Sequence, residues 1–251
     1  MTQNSSWEGV HDWYDSLVGR EGHYYHQHLI LPAIQRLFQL SKESSLLDIA
    51  CGQGVLARSL PSFVSYTGID ISKGLIQAAK QHTVSAKNRQ FLVGDATKPL
   101  PLPKTALFSH ATCILALQNI ENPLAVFQNV HAHMKPKGEF LIVLNHPCFR
   151  IPRHSQWVFD DGSKSLTRQM RSYMSEQKIP ISMRPGKGPQ ETTISFHYPL
   201  EYYIKALAQA GFLISAIEEW CSDKKSTGSQ ARTENRARKE FPLFLAIVAR
   251  A

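Results

Sequence analysis

The sequence predicts an α/β fold, on the basis of three observations. Residues 46–49 (LLDI) form a short apolar run, which is typical of a strand buried on both faces. Residues 51–54 (CGQG) then impose a tight turn, and apolar residues resume at helical spacing from Val55. Further strand-like and helix-like patterns alternate along the rest of the chain. A strand, a glycine turn and a helix form a nucleotide-type site, because the helix start presents unpaired N–H groups to a ligand.

Two ligands fit such a turn. The pattern Gly52-x-Gly54-x-x-Ala57 satisfies the dinucleotide fingerprint, and Asp70 lies at the distance expected of a ribose-binding acid. Asp48 argues for the other ligand, because a carboxylate four residues before Gly52 would repel a pyrophosphate. It would suit the ammonium and sulfonium groups of S-adenosylmethionine.

The stretch 46–58 (LLDIACGQGVLAR) resembles motif I of the class I S-adenosylmethionine-dependent methyltransferases. Three later pieces follow in the family's order: GID at 68–70, VGDAT at 93–97 and HATCILALQNI at 110–120. The resemblance covers residues 45–145, with a looser match over the last strand at 241–250. The fourth strand (TALFSHA, 105–111) lacks the acid that many relatives carry at its start.

The resemblance, which is to the small-molecule, type 11-like group, implies the fold in more detail. We expect a Rossmann-like doubly wound sheet of seven mostly parallel strands, with an antiparallel last strand. An N-terminal helical lid and an insertion after strand 5 should complete one domain over 1–251. Its parts are the lid and helix (1–44), the cofactor-binding core (45–147), the substrate-cap insertion (148–194) and the C-terminal helix and strand pair (195–251).

Length and composition fit this expectation. The chain has 251 residues, of which 43% are hydrophobic, enough for one sizeable core. The net charge is +8, and 16 basic against 10 acidic residues lie from Arg150 onward. This excess favours an anionic group on a small-molecule partner, while the lack of a basic helix or an aromatic RNA-binding module argues against nucleic acid.

The four cysteines and the apolar pattern indicate the compartment. The cysteines are scattered without a C-x-x-C pair, which favours a reducing environment. The first residues are polar and acidic, and no apolar run is long enough to span a bilayer. We expect a cytoplasmic protein without a membrane partner.

The N-terminal region supplies candidate lid contacts. Residues 1–25 are rich in aromatics and are expected to be irregular or weakly helical, and residues 26–40 show the repeat of an amphipathic helix that Pro32 kinks or restarts. Tyr14, Tyr25 and His26 are candidate contacts to the methionine end of the cofactor or to substrate, and Tyr25 is also a candidate catalytic residue. The alternative is that these rings pack in the core. A metal site is not expected, because the histidines at 23, 26 and 28 do not share one helical face.

The resemblance assigns further cofactor contacts. From motif I these are Asp48, Ala50, Cys51, Gly52 and Gly54. Cys51 is interpreted as a small turn residue and not as a nucleophile.

The next two strand ends supply the adenosine contacts. Asp70 is expected to accept hydrogen bonds from the ribose hydroxyls, or alternatively to cap the following helix. Ile71 would offer an apolar face to adenine, and Asp95 and Ala96 would bind its edge. Two residues at the end of the fourth strand are either cofactor contacts or strand-end packing: Thr112 and Leu115.

Substrate-facing residues are expected after the fifth strand. His146 is the leading candidate for a general base, because an imidazole titrates near neutrality, and the alternative is a structural histidine. The insertion contains Arg150 and Arg153, which could bind an anionic substrate group, and a Pro/Gly-rich piece at 183–190. The polar run at 221–240 is interpreted as a mobile hairpin loop before the last strand.

The reaction implied by the resemblance is methyl transfer from S-adenosylmethionine to an O, N or C nucleophile of a small molecule, which releases S-adenosylhomocysteine. No NPPY-like signature follows the fourth strand, which favours a small acceptor. Three alternatives remain: an RNA or protein methyltransferase, an NAD(P)-dependent oxidoreductase, and a protein that binds S-adenosylmethionine without catalysis.

Overall fold

Seven strands form the central sheet, in a computed structural model that describes residues 7–83, 87–182 and 192–251. Numbered along the chain, the strands of this sheet are β1 (Ser45–Ile49), β2 (Ser65–Asp70), β3 (Arg89–Val93), β4 (Phe108–Ile114), β5 (Met134–Asn145), β10 (Leu213–Trp220) and β11 (Phe244–Arg250). Two hairpins lie between β5 and β10, built from β6 (Ser155–Asp160), β7 (Ser165–Met170), β8 (Gln177–Ser182) and β9 (Thr192–His197).

Seven helices accompany the strands. They are α1 (His11–Val18), α2 (Leu31–Leu37), α3 (Val55–Ser59), α4 (Lys73–His82), α5 (Pro123–His131), α6 (Leu200–Gln209) and α7 (Ala231–Glu240). Short turns of 3-10 helix cover Glu8–Val10 and Leu117–Asn119, and a π-helical turn covers His26–Ile30. None of the described helices has both the length and the apolar character needed to cross a membrane.

The strand order is β10-β11-β5-β4-β1-β2-β3. Strands β1 to β5 pair in parallel, whereas β11 pairs antiparallel with both β5 and β10. The predicted doubly wound sheet with an antiparallel last strand is therefore confirmed. The order reverses between β1 and β4, and a crevice for ligands opens at the carboxyl ends of strands at such a point.

Helices cover both faces of the sheet. Leu47 and Ile49 of β1 pack in one hydrophobic cluster with α5 and α6, and Leu46 packs in a second cluster with α2, α3 and α4. All three side chains are fully buried. The continuous apolar run of β1 follows from this burial on both faces.

Several element boundaries differ from those predicted. Within 1–25 a regular helix, α1, is present. The helix expected over 26–40 begins with the π-helical turn and ends at Leu37, and Pro32 lies in the first turn of α2, where its missing N–H is not needed. Strand β5 begins at Met134, which pairs with Phe108 ahead of an irregularity in the ladder.

The polar run at 221–240 was predicted as a mobile loop, and this prediction was wrong. Its second part forms α7, whose Ala237 is buried. The preceding loop is tied to this helix, since the Ser226 N–H donates to Asn235 Oδ1 at 2.8 Å. The Pro/Gly-rich piece at 183–190 lies outside the described residues.

A matched pair of leucines tests the double-sided burial of β1. Leu47→Ala should lower the free energy of unfolding by roughly 3 kcal/mol, because it leaves a cavity in a closed core. Leu213 lies on β10 with 76% of its surface exposed, so Leu213→Ala should change it by less than about 0.5 kcal/mol. Urea denaturation measures both values. Equal losses would contradict the assignment of β1 to the centre of the fold.

Candidate functional site

A cavity of about 340 Å³ lies at the carboxyl ends of β1, β2, β3 and β4. Its volume is in the range of small-molecule sites. Eight of the predicted cofactor contacts line it: Tyr14, Ala50, Gly52, Asp70, Ile71, Asp95, Ala96 and Leu115. The predicted contacts, which come from five separate stretches of the chain, therefore line one cavity.

Asp48 lies near the carboxyl end of β1, where it lines a smaller cavity, and it joins three strands. Its Oδ2 accepts a hydrogen bond from the Tyr66 hydroxyl on β2 at 2.6 Å, and its Oδ1 accepts one from Thr112 on β4 at 2.7 Å. All three side chains are buried. Burial raises the pKa of Asp48 to about 6, although both hydrogen bonds act in the opposite direction.

The turn after β1 is built for close approach of a ligand to the backbone. Ala50, Gly52 and Gly54 all have positive φ, at 55°, 55° and 79°. Gly54 also has no room for a side chain, because a Cβ there would lie 3.0 Å from the Phe91 ring. Gly54 does not line the cavity, so its contribution is to shape the turn.

Asp70 ends β2 with its carboxylate facing the same turn. Its Oδ2 accepts from the Gly52 N–H and its Oδ1 from the Ser72 N–H, both at 2.9 Å. The residue is 7% exposed, and burial raises its pKa against the effect of these two backbone donors. A carboxylate has about four acceptor positions, so two remain for ligand hydroxyls.

An apolar wall also lines the cavity. Ile71 lines the cavity with 47% of its surface exposed, so it offers an apolar contact to a ring. Ala96 and Leu75 also line the cavity. Asp95 is oriented by Thr97, whose N–H and hydroxyl donate to Asp95 Oδ1 at 2.9 and 2.8 Å.

The N-terminal segment closes one side of the cavity. Trp7 and Tyr14 both line it, with their ring centroids 5.3 Å apart. Burial, together with the charge of Asp70, raises the pKa of Tyr14 to about 12. Glu8 fixes the segment at the start of α4, where its carboxylate accepts from the Ser72 hydroxyl at 2.5 Å and from the Gly74 N–H at 3.2 Å.

A second cavity, of about 40 Å³, adjoins the first and shares Tyr14, Ala50 and Gly52 with it. His26 and Cys51 line this smaller cavity. Burial lowers the pKa of His26 to about 4, and its buried Nδ1 has no hydrogen-bond partner among the described residues. Burial raises the pKa of the Cys51 thiol, which agrees with the interpretation of Cys51 as a turn residue.

Two further candidates, Tyr25 and Thr112, line neither cavity. Thr112 instead holds Asp48. The Tyr25 hydroxyl is 2.9 Å from Ser222 Oγ, and its ring packs against Phe244 with centroids 5.5 Å apart. This environment matches the alternative in which the N-terminal rings pack in the core.

His146 also lies away from both cavities. Its Nδ1 accepts from the backbone N–H groups of Cys148 and Phe149 at 3.2 and 3.4 Å, so its Nε2 carries the proton and donates to Glu219 at 2.7 Å. The side chain is buried, and burial lowers its pKa against the opposite effect of Glu219. Both nitrogens are engaged, which favours the structural interpretation.

Comparison with known proteins identifies the family. A model of the methyltransferase domain family matches residues 22–215. The chain belongs to this family. The S-adenosylmethionine-dependent methyltransferase of Mesorhizobium loti shares the fold, with a TM-score of 0.68 and 24% identity over 88% of this chain and 96% of that one.

Two methyltransferases are similar in sequence. The demethylmenaquinone methyltransferase of Staphylococcus epidermidis is 29% identical over 109 residues, or 42% of this chain and 44% of that protein. The ubiquinone biosynthesis O-methyltransferase of Nitrosomonas europaea is 25% identical over 133 residues, or 53% and 48% of the two chains. The chain thus spans about half the length of the curated relatives it matches.

Residues 22–215 thus form a class I S-adenosylmethionine-dependent methyltransferase domain, for which the cofactor is S-adenosylmethionine. The oxidoreductase alternative is therefore set aside, because the matching family is one of methyltransferases. The cavity fits this group, because it combines a carboxylate with free acceptor positions at Asp70 and an exposed apolar wall at Ile71. Within the described residues, no group of three or more His, Cys, Asp or Glu side chains could hold a metal ion.

Several cavity residues of this methyltransferase were not predicted. They are Trp7, Ile69, Leu75, Gly94, Thr97, Ile114, Ala116, Asn119, Ile120 and Glu121. Gly94 and Thr97 flank the predicted pair in VGDAT, and Asn119 and Ile120 end the motif HATCILALQNI. These four residues could therefore have been predicted from the motifs. Trp7 lies in no motif and could not be predicted in this way, because its position depends on how the N-terminal segment packs against the rest of the fold.

The raised pKa of Asp48 predicts a specific pH dependence of stability. Between its ordinary pKa of 3.8 and about 6, the native protein keeps the Asp48 proton that the unfolded chain loses. The free energy of unfolding should therefore fall by up to roughly 3 kcal/mol from this residue as the pH rises through that window. Asp48→Asn removes the ionisable group, so it should remove this part of the pH dependence of the free energy of unfolding.

Urea denaturation from pH 4 to pH 7 without ligand measures the effect, with Asp161→Asn as the control, because Asp161 is exposed. The control should keep the wild-type slope. Identical pH profiles for the wild type and Asp48→Asn would show that Asp48 is not perturbed.

Proposed function

We propose that this methyltransferase transfers the methyl group to an O, N or C nucleophile of a small molecule. The observation that carries the proposal is the covered cavity. The N-terminal segment lies over one side through Trp7 and Tyr14. On the side of the insertion, Lys178 of β8 pairs with the carboxylate of Glu121, a residue of the cavity wall. A site enclosed in this way favours an acceptor small enough to be surrounded.

In the proposed site, Asp70 binds the ribose hydroxyls through its two free acceptor positions. Ile71 and Ala96 contact adenine, and Asp95, held by Thr97, accepts from its amino group. Asp48 contributes negative charge beneath the turn, on the side where the cationic groups of the cofactor are expected. The smaller cavity with His26 and Cys51 would receive part of the methionine end.

The cofactor supplies a methyl group already activated by its sulfonium. The protein must therefore bind the acceptor, orient its nucleophile and keep water out. Trp7 and Tyr14 shield the cavity from water, because both side chains lie against it. The general-base role of His146 and the catalytic role of Tyr25 stay predictions, to which the contacts of these residues add no support.

The names of the relatives agree with a small acceptor, because they refer to demethylmenaquinone and to ubiquinone biosynthesis. The four cysteines are free, which agrees with a reducing compartment, and we place the reaction in the cytoplasm. The basic excess after Arg150 is the feature that would suit the alternative acceptors, RNA or protein.

A labelling experiment tests this proposal. The protein is incubated with S-adenosylmethionine labelled in its methyl group and a cell extract, and the extract is then separated into small-molecule, RNA and protein fractions. Label should accumulate in the small-molecule fraction. Label in RNA or in protein, with none in small molecules, would contradict the proposal.

Asp70→Asn serves as the matched variant, because it keeps the shape of the side chain and loses its charge. Calorimetric titration should show at least about tenfold weaker binding of S-adenosylhomocysteine, since two charge-assisted hydrogen bonds are weakened. Asp161→Asn should bind as the wild type does. Unchanged affinity in Asp70→Asn would remove Asp70 from the site.

A further inference from the structure

A cavity of about 910 Å³ lies apart from the cofactor cavity. Its walls are formed by the loop after α1, by α3, by the end of α4 and by the start of β3. Arg89 begins β3, whereas Gly94, just beyond the other end of this strand, lines the cofactor cavity. The two cavities therefore lie at opposite ends of β3, and no described residue lines both of them.

Four side chains that are cationic at neutral pH line this cavity, which we call the basic cavity: Arg20, Arg58, Lys87 and Arg89. Among the described residues that line it, Glu21 is the single carboxylate. Of the ion pairs that the described residues form, the one at a lining residue joins His82 to Asp15. None of the four cations has a carboxylate partner within the described chain, and such an excess of positive charge attracts anions.

Two of the guanidinium groups are fixed by neutral acceptors. Arg58 donates from Nε to the Arg20 carbonyl at 2.7 Å, from Nη1 to the Gln53 carbonyl at 2.5 Å and from Nη2 to Gln53 Oε1. Arg89 donates to four carbonyls, which are those of Ala57, Leu60, Pro61 and Val64. These bonds orient both groups without neutralising their charge. A guanidinium has five N–H donors, so Arg58, with three bonds, and Arg89, with four, both keep donors for a ligand.

Like charges meet where the N-terminal segment packs against the core. Arg20 follows α1, and Arg58 belongs to α3. Burial lowers the pKa of Arg58, Asp15 opposes this effect, and the charge of Arg20 adds to it. The two guanidinium groups therefore repel each other, and an anion bound to both would relieve this repulsion.

Gln53 connects the basic cavity with the turn after β1, which lines the cofactor cavity. Its side chain is buried, and its Oε1 accepts from Arg58. Its Nε2 donates to the Gly19 carbonyl at 2.6 Å, one residue before Arg20. Gln53 therefore joins Arg58, the segment that carries Arg20 and the turn at the cofactor cavity.

Helix α1 contacts both sites. Tyr14 lines the cofactor cavity, and the next residue, Asp15, pairs with His82 of the basic cavity at 3.1 Å. The position of Tyr14 beside the cofactor therefore depends on contacts that are made at the basic cavity.

We propose that the basic cavity binds a small phosphorylated ligand, and that this ligand holds the N-terminal segment over the cofactor. A phosphate group carries roughly two negative charges at neutral pH, and the planar guanidinium suits its geometry. The volume of 910 Å³ is in the range of small-molecule sites. Arg20 binds the ligand from the N-terminal segment, and Arg58 binds it from the core.

Calorimetric titration with pyrophosphate tests the site, on protein loaded with S-adenosylhomocysteine so that the cofactor cavity is occupied. Acetate at equal ionic strength is the second probe, because it has a single charge and no phosphate group. The wild type should bind pyrophosphate at least about tenfold more tightly than acetate. Arg20→Gln and Lys87→Gln should each weaken pyrophosphate binding at least about fivefold, because each removes a positive charge from the cavity.

Both variants should fold, since the two side chains are exposed and form no hydrogen bond or ion pair with the rest of the described chain. Arg171→Gln is the control, because it removes an exposed charge outside the basic cavity and should bind as the wild type does. Equal binding of pyrophosphate and acetate, or equal effects of the three variants, would overturn the inference. Binding of a short single-stranded RNA without binding of pyrophosphate would assign the surface to nucleic acid and overturn it as well.

A second titration tests the link to the cofactor. S-adenosylhomocysteine is titrated with and without saturating pyrophosphate, at equal ionic strength. Pyrophosphate should raise the affinity of the wild type for S-adenosylhomocysteine at least about fivefold. Arg20→Gln should lose this gain, and Arg171→Gln should keep it. An affinity that pyrophosphate leaves unchanged in the wild type would overturn the proposed effect on the N-terminal segment.

Discussion

The buried carboxylate of Asp48 is the constraint on which the site depends. It lies near the carboxyl end of β1 and accepts hydrogen bonds from Tyr66 on one neighbouring strand and from Thr112 on the other. These two contacts fix the relative positions of β1, β2 and β4 where the cofactor cavity opens. The same burial raises the pKa of Asp48 to about 6. Keeping this carboxylate ionised in the folded protein therefore costs electrostatic free energy. A cationic ligand above the turn would offset that cost, which links the stability of the sheet to occupation of the site.

In the proposed site, the strand ends around Asp48 bind the cofactor and the peripheral segments cover it. The strand ends contribute Asp70, Asp95 and the turn at Gly52, which hold their positions through backbone hydrogen bonds. The N-terminal segment is attached through Glu8 to the start of α4. The insertion is attached to the cavity wall through Lys178, which pairs with Glu121. The proposal therefore assigns acceptor choice to segments that can vary without disturbing the cofactor site.

The parts of the site that could be predicted from the sequence depend on local patterns. Asp48, Asp70 and Asp95 each follow an apolar run, and parallel strands bring such ends together at one edge of the sheet, so the order of the motifs was sufficient. Contacts between distant segments could not be predicted in this way. The partners of His146 and Tyr25 are Glu219 and Ser222, which lie 73 and 197 residues away. The helix α7 was missed because it is strongly polar and buries little apolar surface, so its stability comes from packing and from the loop at Ser226.

A crystal structure of the complex with S-adenosylhomocysteine tests the central claim most directly. We expect the adenosine in the cavity at the ends of β1, β2, β3 and β4, with the ribose hydroxyls within hydrogen-bond distance of Asp70 and the adenine against Ile71. Trp7 and Tyr14 should cover the ligand. A ligand bound outside this cavity, or bound in it with its ribose away from Asp70, would contradict the account.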